Sequence, residues 1–215
     1  MTRLGLPFAL AGLPCALAGL FLAPAPSVAQ ASTASNVANI TETQLEAFRP
    51  RLIGPAVRID VSSFCLEDAD YEVTIGDFQS WEDRNGTLPE GVIVLLYTGF
   101  GRHWPHRARY LGTEAQGEEA VASLHFPGLA PEAARWLVEN RSIRAIGLDT
   151  PSIDFGQSKQ LQSHQILFKA NIPAVENVAH LERLPEKDFV IVALPMKIGG
   201  GSGGPLRIVA LVPGS

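Results

Sequence analysis

The feature that most restricts the fold of this chain is the uninterrupted apolar run VIVLLYT at residues 92–98. A strand with one face in water alternates apolar and polar residues, so a run without alternation predicts a strand covered on both faces. Four further strands are predicted, near residues 55–62, 143–150 and 188–198 and after the glycine-rich loop at 199–205. These segments together predict a sheet with other layers packed against it.

Two segments between these strands have the pattern of helices. The clearer one is APEAARWLVENR, residues 130–141, which has Pro131 in its first turn and apolar residues recurring on one face. The other is TIGDFQSWEDR, residues 74–84, which is followed by the turn residues NGTLPEG. Because strands and helices alternate along the chain, we predict an α/β fold.

Composition and charge narrow the class of protein. The 215 residues suit one globular domain, and 46% hydrophobic with 18% charged residues is ordinary for a soluble α/β protein. The formal net charge is -5. No clustered basic face is visible, so nucleic acid is not an expected partner.

The first 31 residues have the parts of a secretory signal peptide. A basic residue near the start is followed by an apolar run and by the small-x-small sequence AQA at residues 29–31. Four prolines would interrupt a membrane-spanning helix in this run: Pro7, Pro14, Pro24 and Pro26. We therefore predict a signal peptide at 1–31, a linker at 32–48, one folded domain at 49–215 and no stable membrane insertion. If the leader is used the protein is secreted, and otherwise it is cytoplasmic.

The two cysteines predict no disulfide framework. Cleavage after Ala31 would remove Cys15 and leave Cys65 alone. Since Cys65 follows a predicted strand, we expect it to be a buried structural thiol and not a nucleophile.

The segment SHQILFKANIPAVENV contains two candidate metal ligands, His164 and Glu176. A histidine beside apolar residues is commonly a satisfied core or surface group. A carboxylate in such a segment, however, is costly to bury without a cation or a donor. Imidazole and carboxylate together suit zinc, manganese or iron, but two ligands with a twelve-residue spacing are no general metal signature. From the residues alone, both interpretations stay open.

Polar residues follow the predicted strand at 143–150, where α/β sheets commonly build their sites. Asp149, Ser152 and Asp154 lie in GLDTPSIDFGQS and could orient a substrate or a ligand histidine. The alternative is a turn in which these side chains cap free backbone amides.

The loop TGFGRHWPHRARY at residues 98–110 is a candidate substrate pocket. Phe100, His103 and Trp104 would offer an aromatic surface with arginines nearby, and a solvated basic loop is the alternative. The glycine-rich loop at 199–205 lacks the lysine and following Ser or Thr of a P-loop, so a flexible turn is the simpler interpretation.

Five separated blocks, in order, resemble the cyclase family of metal-dependent hydrolases: LIGPAVRIDV, GVIVLLYTGFGRHW, LDTPSIDFGQS, SHQILFKANIPAVENV and LPMKIGGGSGGPLRIVALVP. That family includes kynurenine formamidases and isatin hydrolases. The resemblance, over residues 49–213, implies a swivelling β/β/α domain that forms homo-oligomers, binds zinc or manganese and hydrolyses amide-type bonds in small substrates. It also implies that His164 and Glu176 are two of the metal ligands.

One family motif has no counterpart in this chain. Family members carry H-x-G-T-H-x-D-x-P-x-H shortly before the block that here begins LIGPAV, and the motif supplies most metal ligands and an acid–base histidine. The matching segment here, SVAQASTASNVANITETQLEAF, contains no histidine, and the first histidine of the chain is His103. We therefore expect an N-terminally incomplete member of the family.

Two functions follow from the resemblance. The first is a metal-dependent amidohydrolase of a small aromatic amide, with N-formylkynurenine as the expected substrate and the lactam isatin as the alternative. The second is a non-catalytic, truncated member that keeps the fold and the oligomer surface. Because only His164 and Glu176 match the ligand set, we expect weak activity or none from this polypeptide alone.

Overall fold

The computed structural model describes residues 51–196, 198 and 203–214. Its centre is a six-stranded sheet in the order β6-β5-β3-β1-β7-β8, beside a two-stranded parallel sheet of β2 and β4. The strands are β1 (Ile53–Asp60), β2 (Glu72–Val73), β3 (Ile93–Tyr97), β4 (Gly128–Leu129), β5 (Ala145–Leu148), β6 (Ala174–Val175), β7 (Phe189–Pro195) and β8 (Leu206–Leu211).

Six α-helices connect the described strands. They are α1 (Ser62–Glu67), α2 (Ile75–Asn85), α3 (Arg107–Leu111), α4 (Glu118–Val121), α5 (Pro131–Asn140) and α6 (Gln162–Lys169). Helix α2 begins where Thr74 and Asp77 form a capping box, which satisfies two free amides of the first turn. Helix α5 begins with a proline at its first position, where the missing N–H costs nothing.

The β6-β5-β3-β1 half of the sheet is parallel and covered on both faces. Strand β3 pairs with β1 and β5, and β5 pairs with β6, all in parallel. Successive residues of β3 enter opposite core clusters: Val94 and Leu96 join the cluster that contains the helices, while Ile93 and Leu95 join the other. The apolar run at 92–98 is therefore buried on both sides, as its sequence predicts.

The β7-β8 half is an antiparallel hairpin joined to β1 through an antiparallel pairing. Its inner face, which includes Ile191 and Ala193, packs into the second core cluster. Leu194, Val209 and Leu211 are 55%, 47% and 57% exposed on its outer face. This half of the sheet therefore alternates buried and exposed residues, as an antiparallel sheet with one open face does.

The predicted α/β class, all five predicted strands and both predicted helices are confirmed. The apolar segment around His164 forms helix α6. The loop at 98–110 is more regular than its sequence suggests, because Phe100–His103 forms a 3₁₀ turn and α3 follows.

Several sequence predictions concern residues outside the described ranges. The leader at 1–31, the linker at 32–48 and Cys15 fall there, so the division at residues 31 and 48 stays a prediction. Within the described residues, no helix is long and apolar enough to cross a membrane. Cys65 is buried, as expected, and burial and nearby carboxylates raise the pKa of its thiol, which makes it a poor nucleophile.

Candidate metal-ligand pair and adjoining cleft

The parallel strand order brings the carboxyl ends of β3, β5 and β6 together. Thr98 follows β3, Asp149 follows β5 and Glu176 follows β6. Since neighbouring parallel strands end at the same edge of a sheet, these polar residues meet there. Three segments that are far apart in sequence therefore build one site.

Asp154 links the loop after β5 to the beginning of α6. Its carboxylate accepts hydrogen bonds from the backbone amides of Ser163 at 3.0 Å and His164 at 3.1 Å. The same carboxylate lies 2.6 Å from Nδ1 of His164, which must donate because a carboxylate only accepts. Asp154 thus caps the helix and orients the imidazole, so both sequence interpretations of this residue apply.

Gly128 of β4 permits this placement of Asp154. A Cβ atom on Gly128 would overlap with the backbone of Asp154 and Phe155. Leu129 next to it donates its amide to the carbonyl of Ile153 at 2.7 Å, which fixes the loop against β4. The small sheet therefore holds the loop that orients His164.

Glu176 faces the other nitrogen of the imidazole. Its Oε1 atom lies 3.1 Å from Nε2 of His164 and accepts the Ile153 amide at 3.0 Å. Its Oε2 atom is buried and has no hydrogen-bond partner among the described residues. His164 is 8% and Glu176 7% exposed, so this open acceptor is shielded from bulk water.

Asp154, His164 and Glu176 form a buried array, in which charge and burial have opposite effects on the pKa values of His164 and Glu176. Burial lowers the pKa of His164, but the hydrogen bonds and negative charges of Asp154 and Glu176 outweigh it and raise the pKa to about 9. Burial raises the pKa of Glu176, while the hydrogen bond and charge of His164 act in the opposite direction. The carboxyl groups of Asp154 and Glu176 therefore favour the protonated form of His164.

The donor set fits a divalent transition-metal ion. With Nδ1 held by Asp154, Nε2 is the nitrogen available to a metal, and a carboxylate partner on Nδ1 is the common outer arrangement of metal-ligating histidines. The Oε2 atom of Glu176, which has no partner among the described residues, could supply a second, anionic ligand. The described residues contain no group of three or more His, Cys, Asp or Glu arranged to hold a metal. Among these residues, His164 and Glu176 are therefore two candidate ligands.

The carboxylate of Asp149 is bonded to the turn that follows β3. Its Oδ1 accepts from the amide and the hydroxyl of Thr98 at 2.8 and 2.7 Å, and its Oδ2 accepts from the Gly101 amide at 3.1 Å. Ser152 is also buried, and its carbonyl accepts the Thr150 hydroxyl at 3.0 Å. The turn-capping interpretation therefore describes Asp149, while the Ser152 contact is made by its backbone carbonyl and not by its side chain.

A cleft of about 730 Å³ lies beside the ligand pair, where Asn177 and Val178, immediately after Glu176, form part of its wall. Trp104, proposed as a pocket residue, lines the cleft and is 69% exposed. Phe100 is buried, and the His103 ring packs edge-on against it at 5.5 Å. The structure therefore brings Trp104 to the cleft and leaves Phe100 and His103 outside its lining.

Sequence analysis did not identify two residues of this region, Tyr110 and Asn177. The hydroxyl of Tyr110 lies 2.8 Å from Oδ1 of Asn177 and 3.0 Å from the carbonyl of Asp149, so it joins the turn after β5 to the turn after β6. Trp104 packs edge-on against Tyr110 at 5.6 Å. Both residues lie inside segments that the sequence singles out, but only the strand order reveals that they meet.

Comparisons with known proteins identify the relatives of this chain. The family model described as "Putative cyclase" matches residues 27–155. An isatin hydrolase from Roseibium aggregatum is 29% identical over 167 residues, which are 76% of this chain and 61% of that protein. A kynurenine formamidase from Bordetella petrii is 37% identical over 84 residues, which are 39% of each chain. This chain thus spans less than two thirds of the length of these relatives.

Solved structures extend the likeness to the fold. Isatin hydrolase A from Ralstonia solanacearum superposes with a TM-score of 0.72 and 31% identity, over 91% of this chain and 71% of that one. Isatin hydrolase A from Labrenzia aggregata, bound to benzyl benzoate, gives 0.68 with 36% identity, over 75% and 62% of the two chains. The predicted cyclase-type α/β fold is confirmed by these structures.

Proposed function

Because the chain belongs to the cyclase family, we propose that it is a metal-dependent amidohydrolase acting on small aromatic amides. The observation that carries the proposal is the buried array Asp154–His164–Glu176, in which Nδ1 of His164 is held at 2.6 Å and one oxygen of Glu176 has no partner in the described part of the chain. A histidine that only filled the core would need neither a second carboxylate nor an unpartnered acceptor beside it.

Each residue of the array has a distinct task. His164 and Glu176 would hold zinc or manganese, which both accept imidazole and carboxylate ligands. A bound ion of this kind supplies Lewis acidity, lowering the pKa of water to about 7 and polarising an amide carbonyl. Asp154 keeps the proton of His164 on Nδ1, and the burial of the array excludes bulk water from it.

The substrate class follows from the relatives and the cleft. The matched proteins are isatin hydrolases and kynurenine formamidases, whose names specify small aromatic amide or lactam substrates. Tyr97, Trp104 and Tyr110 give the cleft an aromatic lining suited to such a ring. We propose N-formylkynurenine as the first substrate to assay and isatin as the second.

The test combines metal content with turnover of the full chain. Zinc and manganese are measured by mass spectrometry in the purified protein, and hydrolysis of N-formylkynurenine and of isatin is followed optically. We expect metal to co-purify and turnover to disappear in His164→Ala. The control is His125→Ala, whose imidazole pairs with Asp70 and is 47% exposed, and which should retain metal and activity.

A non-catalytic role is the second candidate, because the described residues contain no group of three or more His, Cys, Asp or Glu that could hold a metal, and only His164 and Glu176 are candidate ligands. Two ligands cannot fill a four- or five-coordinate site, so activity of this polypeptide alone is expected to be weak. Protein that folds cooperatively but lacks both metal and turnover, with zinc or manganese added, would support this role and overturn the hydrolase proposal. Homo-oligomer formation and secretion remain predictions of the family resemblance and of the leader.

A further inference from the structure

We infer that Arg102 forms a carboxylate-binding subsite in the cleft, so that the ligand is an aromatic compound carrying a carboxylate. The inference builds on the proposed function, since it names the substrate class of the same cleft. Such a subsite would favour an anionic aryl amide over a neutral lactam.

The buried carboxylate of Asp149 fixes the backbone next to Arg102. Asp149 is 2% exposed and accepts the amide of Gly101, the residue that immediately precedes Arg102. A Cβ atom on Gly101 would stand 3.2 Å from Cβ of Asp149, a tight contact, so glycine lets the turn lie directly on this carboxylate. The position of the arginine is therefore set by a buried anchor, although its side chain is exposed.

The guanidinium of Arg102 has no anionic partner in the part of the chain that the structure describes. Within the described residues it makes no ion pair or side-chain hydrogen bond, whereas Arg183, the other arginine of the cleft, lies 3.6 Å from Glu182. The nearest buried acid, Asp149, has both oxygens occupied by Thr98 and Gly101. Burial and then the charge of Arg102 lower the pKa of His103, so this neighbouring imidazole is disfavoured as a second cation.

The surroundings of Arg102 select an aryl anion. Trp104 is two residues away on one wall, and Tyr97 lies on the same cleft. A planar guanidinium binds a carboxylate through two parallel hydrogen bonds, and the neighbouring rings present faces to a second aromatic group. A phosphate or a free amino acid would use the cation but leave the aromatic walls without a partner.

The test measures binding without turnover. The fluorescent acid 2-aminobenzoate and its neutral methyl ester are titrated into the full chain and followed by fluorescence anisotropy. We expect the acid to bind about tenfold tighter than the ester, and Arg102→Gln to remove this preference while leaving ester binding unchanged. Arg109→Gln, an exposed arginine outside the cleft lining, should alter neither affinity.

Equal binding of acid and ester, or an unchanged acid affinity in Arg102→Gln, would overturn the inference. A loss confined to Arg183→Gln would overturn the assignment to Arg102. Since no hydrolysis is measured, a chain that discriminates the acid but lacks turnover refutes only the proposed function. A chain that hydrolyses amides without discrimination refutes only the subsite.

Discussion

The two halves of the central sheet differ in what covers them, and the difference explains where the site lies. The parallel half, from β6 to β1, is covered on both faces, and three of its strands end in Thr98, Asp149 and Glu176. The antiparallel hairpin of β7 and β8 has one open face that carries exposed apolar residues. Only the covered half offers the low-dielectric environment in which a carboxylate and an imidazole hold each other tightly.

The largest loss of stability is expected where a substitution removes the partner of a buried charge. Asp154→Ala would leave the imidazolium of His164 and two helix amides without their acceptor, so the free energy of unfolding should fall by about 3–5 kcal/mol. Urea unfolding of the metal-free protein measures the change.

Glu182→Ala is the matched control for Asp154→Ala. Its carboxylate is 48% exposed and pairs with His180 and Arg183, so its removal should cost at most about 1 kcal/mol. If the two substitutions lower the free energy of unfolding by the same amount, burial does not strengthen the interaction between Asp154 and His164.

The second prediction concerns apolar contacts in the covered half. Leu148 of β5 is fully buried in the cluster beneath the helices and pairs with Leu96 of β3. Leu148→Ala should lower the free energy of unfolding by about 2–5 kcal/mol, because the methyl groups are lost and a cavity remains. Chemical denaturation with an unchanged slope would attribute the loss to the native state.

The third prediction tests the helical cover itself. Arg141 on the end of α5 forms a two-nitrogen pair with Glu82 of α2 at 2.7 and 2.6 Å and stacks on Trp136. The hydrogen bond from Arg141 lowers the pKa of Glu82, so the pair stabilises the fold above the unfolded pKa of about 4.3 and is lost as pH falls through the lower folded value.

Glu82→Gln should therefore cost about 1 kcal/mol at neutral pH, and the difference from the wild type should shrink towards pH 3. Unfolding curves of both proteins at the two pH values measure it. If the loss of unfolding free energy in Glu82→Gln stays constant down to pH 3, packing and not charge joins α2 to α5.

The sequence predicted the covered half better than the site within it. The run at 92–98 and the helix at 130–141 could be predicted because their patterns are local, and His164 and Glu176 stood out as polar residues in apolar segments. The sequence offered Asp149, Ser152 and Asp154 as groups that could orient a ligand histidine, but it could not single out Asp154, because that choice depends on how the loop after β5 packs on β4. Tyr110 and Asn177 likewise meet only through the strand order.

The hairpin provides the smallest expected effect and the sharpest contrast with Leu148. Leu194 of β7 is the same residue type but is 55% exposed, so Leu194→Ala should change the free energy of unfolding by no more than about 0.5 kcal/mol. The same urea titration serves both variants. A loss of 2 kcal/mol or more would mean that the open face is covered in solution, either by residues 1–50 or by a second copy of the chain. Repeating the titration over a hundredfold range of protein concentration separates these two cases, because only a second copy makes the stability concentration-dependent.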